Sequence, residues 1–275
     1  MITRFAPAPT GYLHIGHVLN AIFVWGVARQ IGASVMLRIE DHDRQRSRPE
    51  YEDALREDLA WLGFTPDAES RQSDRSAIYE DALARLGAAG LTYVCGCTRK
   101  DMDGERYPGT CRGRALDAAE GRGVRMRVEP VEETFDDLRL GPQVQSPAQQ
   151  SGDVLLRDRL GFWTYQFAAA VDDFVQGVTH VIRGEDLLSS TGRQIQLARR
   201  LGRGTPAAFL HHPLLMKSAS RKISKSDGDT GVRDLRAAGW SAPRVIGHAA
   251  ALGGLIASPR DVFAEEIARL SFRGI

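Results

Sequence analysis

Three short clusters of residues have types and spacings that could do chemistry. His14 and His17 straddle Gly16 in Pro9-Thr10-Gly11-Tyr12-Leu13-His14-Ile15-Gly16-His17, where a β-like run gives way to a helical one. A helix start offers unpaired N–H groups and positive potential to an anion, two imidazoles there can donate to phosphate oxygens, and Gly16 would let a bulky ligand approach the backbone. Lys222 and Lys225 stand three apart in Lys222-Ile223-Ser224-Lys225-Ser226-Asp227-Gly228, a cationic loop suited to charge developing on a transferring phosphoryl group. Cys95, Cys97 and Cys111 fall within 17 residues. A Cys-x-Cys turn and a third thiolate returning after a Gly-rich loop would occupy three sides of a tetrahedral metal site, with Asp101, Asp103 and Glu105 as oxygen candidates for the fourth. Each cluster alone has a plainer reading: polar residues around a helix start, a solvated basic loop, three chance thiols.

The elements that must position these clusters read as α/β. Residues 2 to 8 suit a short strand running into a Pro-punctuated turn, 18 to 31 a largely buried helix, and 34 to 41 a buried parallel strand ending in acidic residues. Helical patterns follow at about 49 to 62 and 74 to 89, the first with Pro49 in its opening turn, the second ending at Gly90. From about 91 to 165 the chain turns Gly- and Arg-rich, carries all the cysteines and shows β-like runs at 124 to 128 and 153 to 158, which reads as an insertion. A strand at 178 to 183 and a helix at about 187 to 201 resume the α/β pattern, and helices are expected at about 230 to 239, 243 to 256 and 260 to 270.

Composition bounds the reading. At 275 residues, 43% hydrophobic and 26% charged, the chain has room for one sizeable core plus an insertion. It has no apolar run near the roughly 20 residues of a membrane span and no charged-then-apolar leader, so a cytoplasmic chain without membrane attachment is expected. A formal charge of +1 is silent about nucleic acid, which needs only a local basic face. Two unevennesses say more. Thirty-two of 36 basic residues are Arg, yet three of the four Lys fall within nine residues, where a compact ammonium would do what a guanidinium fork cannot. An odd number of Cys confined to one stretch favours a metal site over a disulfide framework.

Taken together, the histidine turn and the lysine loop resemble the two signatures of the class I aminoacyl-tRNA synthetases, and four further segments resemble the glutamyl branch. These are Arg4-Phe5-Ala6-Pro7-Ala8-Pro9-Thr10-Gly11-Tyr12-Leu13-His14, Leu37-Arg38-Ile39-Glu40-Asp41, Tyr165-Gln166-Phe167-Ala168 and Val181-Ile182-Arg183-Gly184-Glu185-Asp186. The resemblance implies a Rossmann-type catalytic domain in two parts, 1–90 and 166–229, with a zinc-binding insertion over 91–165 and a short helical region over 230–275. It implies glutamate contacts from Arg4, Phe5, Ala6, Pro7 and Ala8, from Glu40 on the substrate ammonium, and from Tyr165 and Arg183. His14, His17 and Lys225 would be catalytic, and His14, Gly16, His17, Lys222 and Lys225 would bind ATP, with Mg²⁺ on the phosphates. Free glutamate has two carboxylates and an ammonium, so a pocket with guanidinium and carboxylate groups fits the demand. Two departures stand out: Ala8 where the glutamyl pattern has Ser, and Ile223 where the lysine signature has Met.

The cysteine cluster resembles that of the short, catalytic-half paralogues of the glutamyl synthetases. In them Cys-x-Cys, a Tyr and a Cys four residues beyond it hold zinc, which implies Cys95, Cys97, Tyr107 and Cys111 around one structural ion. The reaction implied is two-step. The carboxylate of glutamate attacks the α-phosphorus of ATP, and an RNA hydroxyl then takes the glutamyl group, a sequence that needs alignment and charge relief more than a general base. Only 47 residues follow Gly228, short of the helical anticodon-binding region of a full-length enzyme. The expected acceptor is therefore queuosine at the wobble position of tRNA(Asp), the acceptor of those paralogues, and a monomer is expected. The rival readings are a reduced enzyme charging tRNA(Glu), a catalytically silent RNA-binding paralogue, and a nucleotidyltransferase of the same superfamily.

Overall fold

The apolar run after His17 is buried on nearly every side, and the rest of the fold is arranged around it. The computed structural model describes residues 1–42, 45–218, 221–222 and 231–272. Strand β1 (Ile2–Phe5) leads through the histidine turn into helix α1 (Ile15–Ile31), which is buried from Ala21 through Ala28 without a polar stripe. A helix apolar all round belongs in a core. Gly26 lets it approach its neighbour closely, since a Cβ there would lie 2.1 Å from the Phe272 ring. β2 (Ser34–Ile39), α2 (Pro49–Leu62), β3 (Ala68–Arg71) and α3 (Ser76–Ala88) complete the first half, with β1, β2 and β3 parallel and side by side.

Next come β4 (Thr92–Cys95), β5 (Gly123–Met126), the hairpin β6 (Glu133–Asp137) and β7 (Gly141–Gln145), the single turn α4 (Pro147–Gln150) and β8 (Val154–Arg157). Then follow α5 (Tyr165–Val175), β9 (His180–Gly184), α6 (Thr191–Arg200), β10 (Ala208–His212), the short ladder β11 (Met216–Ser218) and β12 (Arg221–Lys222), α7 (Val232–Ala237) and α8 (Ala242–Leu252). β10 pairs in parallel with β9 and β6, and β7 flanks β6 antiparallel. Ile2 N donates to the Thr179 hydroxyl at 2.9 Å and Thr179 N to the Ile2 carbonyl at 2.8 Å, so β1 and β9 run as neighbours. The layer then reads β3-β2-β1-β9-β10-β6-β7. Chain winding outward from β1 on one side and β9 on the other leaves a crevice beyond their carboxyl ends.

Two features differ from the sequence reading. The hairpin β6–β7 lies inside the span assigned to the insertion, yet pairs with β10; the separate sheet of the insertion is β4-β5-β8. Glu133–Asp137 has one apolar residue, Phe135, and its buried positions are the acids Glu133 and Asp137, so hydrophobic periodicity gives no strand signal there. The helix expected at 260 to 270 is a set of 3₁₀ turns over Ala264–Arg269. Residues before it cross α8 in extended form, with Val262 N donating to the Pro243 carbonyl at 3.0 Å, and they pass so close to Gly247 that a Cβ there would clash with the Arg260 carbonyl. Among the described residues no helix is long and apolar enough to cross a membrane.

The halves are tied by a buried ion cluster. Asp173 on α5 accepts from Arg4 Nε of β1 at 2.9 Å and from Arg38 Nη1 of β2 at 2.7 Å, and Arg38 reaches Glu40 at 3.2 Å and the Gln176 side chain at 3.2 Å. Arg38 is fully buried. Although burial works the other way, the two guanidiniums hold the Asp173 carboxyl well below the usual carboxylate range. Its stabilisation is therefore complete above the ordinary aspartate value of about 3.9 and is lost only as pH falls through the depressed one. Asp173→Ala would strand a buried cation, and should cost about 3–5 kcal/mol in denaturant unfolding. A loss below about 1 kcal/mol would show that the cluster does not hold the halves together.

Candidate active site

At the crevice beyond β1 and β9 lies a cavity of about 230 Å³ lined by Arg4, Ala6, His14, Gly16, His17, Glu40, Tyr165 and Arg183, together with Asn20, Asp186, His212 and apolar neighbours. Eight residues singled out in the sequence thus converge from β1, α1, the end of β2, the first position of α5 and β9. Phe5, Pro7 and Ala8 do not line the cavity. Side chains alternate along a strand: Arg4 and Ala6 face the crevice while Phe5, fully buried, packs on Trp25 with ring centroids 5.3 Å apart. Pro7 instead fixes the strand ends, its carbonyl accepting from Glu40 N at 3.1 Å.

The charges in the cavity are unequally compensated. Arg4 has Asp173, and Glu40 has Arg38. Burial nevertheless pushes the Glu40 carboxyl above its ordinary value, with Arg38 opposing, so a cation arriving beside it would be welcome. Arg183 is 3% exposed and held by three neutral acceptors: His211 Nε2 at 3.0 Å, the Gln194 side-chain oxygen at 2.6 Å and the Thr191 hydroxyl at 2.9 Å. Among the described residues it makes no ion pair, and burial lowers its pKa. A buried guanidinium so placed favours an anion.

The histidine turn is built as a helix cap. His14 Nδ1 accepts from Gly16 N at 3.1 Å and His17 Nδ1 accepts from His14 N at 3.1 Å, a reciprocal capping box made by two imidazoles whose centroids lie 3.9 Å apart. Because both Nδ1 atoms accept, the neutral rings carry their protons on Nε2 and present N–H donors. Gly16 serves this cap directly: a Cβ there would lie 2.9 Å from His14 Cε1. The chain after the lysine segment returns to the same turn, with Gly231 bridged to His14 and Val232 N donating to the Leu13 carbonyl at 2.9 Å. Lys225 and the Lys222 side chain lie outside the described residues.

In the insertion, the sulfurs of Cys95, Cys97 and Cys111 lie within 4.8 Å of one another, Cys97 and Cys111 at 3.5 Å. The Tyr107 hydroxyl oxygen stands 3.4 Å from Cys95 Sγ and 3.8 Å from Cys97 Sγ, and it accepts from Cys111 N at 2.8 Å. Edges of this length match the roughly 3.8 Å between sulfurs of a tetrahedron with 2.3 Å zinc–sulfur bonds, so the donor set fits such an ion. Burial, with Cys111 alongside, pushes the Cys97 thiol up to about 11. A bound cation would favour ionisation of the clustered thiols. Asp101, Asp103 and Glu105 are all exposed, and Asp101 caps Thr98. Gly152, at φ 66°, accommodates the Tyr107 carbonyl, which would lie 2.1 Å from a Cβ.

Sequence reasoning missed α5 beyond its first residues, and with it Asp172 and Asp173, whose signal was present: two adjacent acids in the apolar run Phe167–Val175. It also missed His212, whose Nδ1 donates to the Pro213 carbonyl at 2.9 Å and whose pKa burial drops to about 4, and the pairing of His211 with Asp137. Gly16→Ala should displace the His14 ring and undo the cap, lowering stability by about 1 kcal/mol in thermal unfolding. An unchanged melting temperature would mean that Gly16 matters only for ligand approach.

Comparison with known proteins agrees with this geometry. Residues 1–266 match the family described as tRNA synthetases class I (E and Q), catalytic domain. The chain is 41% identical to a glutamyl-Q tRNA(Asp) synthetase of Symbiobacterium thermophilum over 96% of its own length and 90% of the relative's, and 45% identical to one of Burkholderia cenocepacia over 83% and 81%. It is 38% identical to a glutamate–tRNA ligase of Thermosynechococcus vestitus, covering 91% of this chain but 56% of that one. The glutamate-tRNA synthetase structure of Elizabethkingia anophelis superposes with a TM-score of 0.81 at 25% identity, covering 98% of this chain and 65% of the other. The chain therefore belongs to the class I tRNA synthetase family of the glutamate and glutamine enzymes, and is a ligase of that type.

Proposed function

We propose that the protein activates glutamate with ATP and transfers the glutamyl group to queuosine at the wobble position of tRNA(Asp). The observation that carries the first step is the convergence of Arg4, Glu40, Tyr165 and Arg183 in one cavity with the two capping histidines. Glu40 takes the substrate ammonium, and Arg4 and Arg183 take carboxylate oxygens. Tyr165 adds a further contact. The reacting carboxylate is already ionised at neutral pH, so it attacks the α-phosphorus directly and pyrophosphate leaves. His14 and His17 donate from Nε2 to phosphate oxygens, Lys225 follows the charge on the leaving group, and Mg²⁺ enters with ATP. A hydroxyl of the acceptor then attacks the adenylate carbonyl, forming the ester and releasing AMP.

What supports the choice of acceptor is kinship with proteins named glutamyl-Q tRNA(Asp) synthetase, matched over most of both chains, against the much smaller share covered of a glutamate–tRNA ligase. Cys95, Cys97, Tyr107 and Cys111 would hold one structural zinc, keeping the loop between β4 and β5 folded beside the cavity. The protein works as a monomer in the cytoplasm.

Labelled glutamate and ATP should be offered with tRNA(Asp) bearing or lacking queuosine and, separately, with tRNA(Glu). Label should appear only on the queuosine-containing tRNA(Asp). Label on tRNA(Glu) alone would overturn the acceptor, and absence of glutamate-dependent pyrophosphate exchange would overturn the enzyme reading. Metal analysis of the purified protein should return one zinc per chain, lost together in a Cys97→Ser, Cys111→Ser variant; a metal-free, fully folded protein would refute the structural ion.

A further inference from the structure

Arg183 is anchored by an arrangement that no part of the proposed chemistry requires. Its Nε donates to His211 Nε2 at 3.0 Å, and the other imidazole nitrogen of His211 meets Asp137 Oδ2 at 2.7 Å; His211 and Asp137 side chains are both fully buried. The tautomer follows by elimination. A guanidinium only donates, so His211 Nε2 must be bare. Asp137 also accepts from the backbone N–H groups of His211 at 3.0 Å, Arg139 at 3.0 Å and Leu140 at 2.9 Å, so its carboxylate is ionised and Nδ1 of His211 carries the proton. The imidazole is therefore neutral. A carboxylate in direct contact would fix Arg183 equally well but would cancel its charge; here the carboxylate stops one side chain short.

We infer that Asp137 and His211 are positioning residues that fix Arg183 while leaving it an uncompensated cation, and that this arrangement makes the cavity select glutamate over its neutral amide, glutamine. The inference deepens the proposed function and rests on Arg183 being a glutamate contact. Removing the acceptor frees the guanidinium to swing toward water, which weakens anion binding and leaves the histidine turn untouched.

The test is ATP–pyrophosphate exchange with glutamate and with glutamine, for the parent protein and for His211→Ala, His211→Gln, Asp137→Asn and Arg183→Ala. His211→Ala should raise KM for glutamate roughly ten- to hundredfold, the range expected for a lost hydrogen bond to a charged group, with KM for ATP unchanged and the preference over glutamine narrowed. His211→Gln, whose amide oxygen can face Arg183 Nε, should recover most of the loss, and Asp137→Asn should fall between. Should His211→Ala fail to fold, His211→Gln and Asp137→Asn still decide. Parallel rises in both KM values, or equal losses for the Ala and Gln variants, would reduce His211 to a packing residue and overturn the inference. If Arg183→Ala raises KM for glutamate while the His211 and Asp137 variants do not, the relay fails and the glutamate pocket stands. If Arg183→Ala leaves KM for glutamate unchanged, the pocket reading itself falls.

Discussion

One carboxylate, Asp173, makes the cavity possible. Arg4 and Arg38 project from adjacent parallel strands into the same buried space, and two guanidiniums at that distance repel unless an anion stands between them. With Asp173 there, Arg4 is aimed along β1 toward the crevice and Arg38 is turned to meet Glu40, so that a positive and a negative group arrive at the cavity wall already oriented. Its neighbour Asp172 does the same work in the other direction, accepting from Gln72 at 2.9 Å, Arg75 at 2.7 Å and the Tyr79 hydroxyl at 2.8 Å. Adjacent positions on α5 thus pin both the parallel sheet and α3. The helix that starts with Tyr165 at the cavity is held in place by charge as well as by its apolar face.

The residues that line the cavity were easier to read in the sequence than the residues that hold them. His14, Gly16 and His17 stood out by their spacing at a helix start, whereas Glu40 and Arg183 came from the resemblance to the glutamyl branch. The elements β1, α1, β2 and α2 followed from hydrophobic periodicity. What escaped was non-local. The partners of Arg183, namely His211, Thr191 and Gln194, come from two later elements, and Asp173, shared by Arg4 and Arg38, comes from a helix more than a hundred residues away. No spacing rule connects such positions, because chain topology brings them together. The short strands β3, β6 and β7 escaped because each has only four or five residues, mostly polar, and no apolar alternation to read.

Gly16 has a physical role in the structure other than the one its size suggested. Its small size suggested room for a ligand, yet the atoms a side chain would first meet belong to the His14 imidazole. The His-x-Gly-His spacing is therefore a self-contained piece of local chemistry. Each ring spends one nitrogen on a backbone donor and keeps the other as a donor of its own. A Ser or Asp cap would satisfy the same backbone groups but would leave no such N–H behind.

The span between the members of the ion cluster also bears on how the chain reaches its native state. Asp173 lies 169 residues from Arg4 and 135 from Arg38. During synthesis the first three parallel strands emerge long before Asp173, so an N-terminal fragment ending before α5 carries Arg4 without its carboxylate partner and Arg38 with Glu40 alone. Contacts of such separation slow folding and delay commitment. The cysteine-bearing segment, emerging in the interval, can organise around its own short antiparallel sheet, and the larger mostly parallel layer would be the last part of the molecule to set.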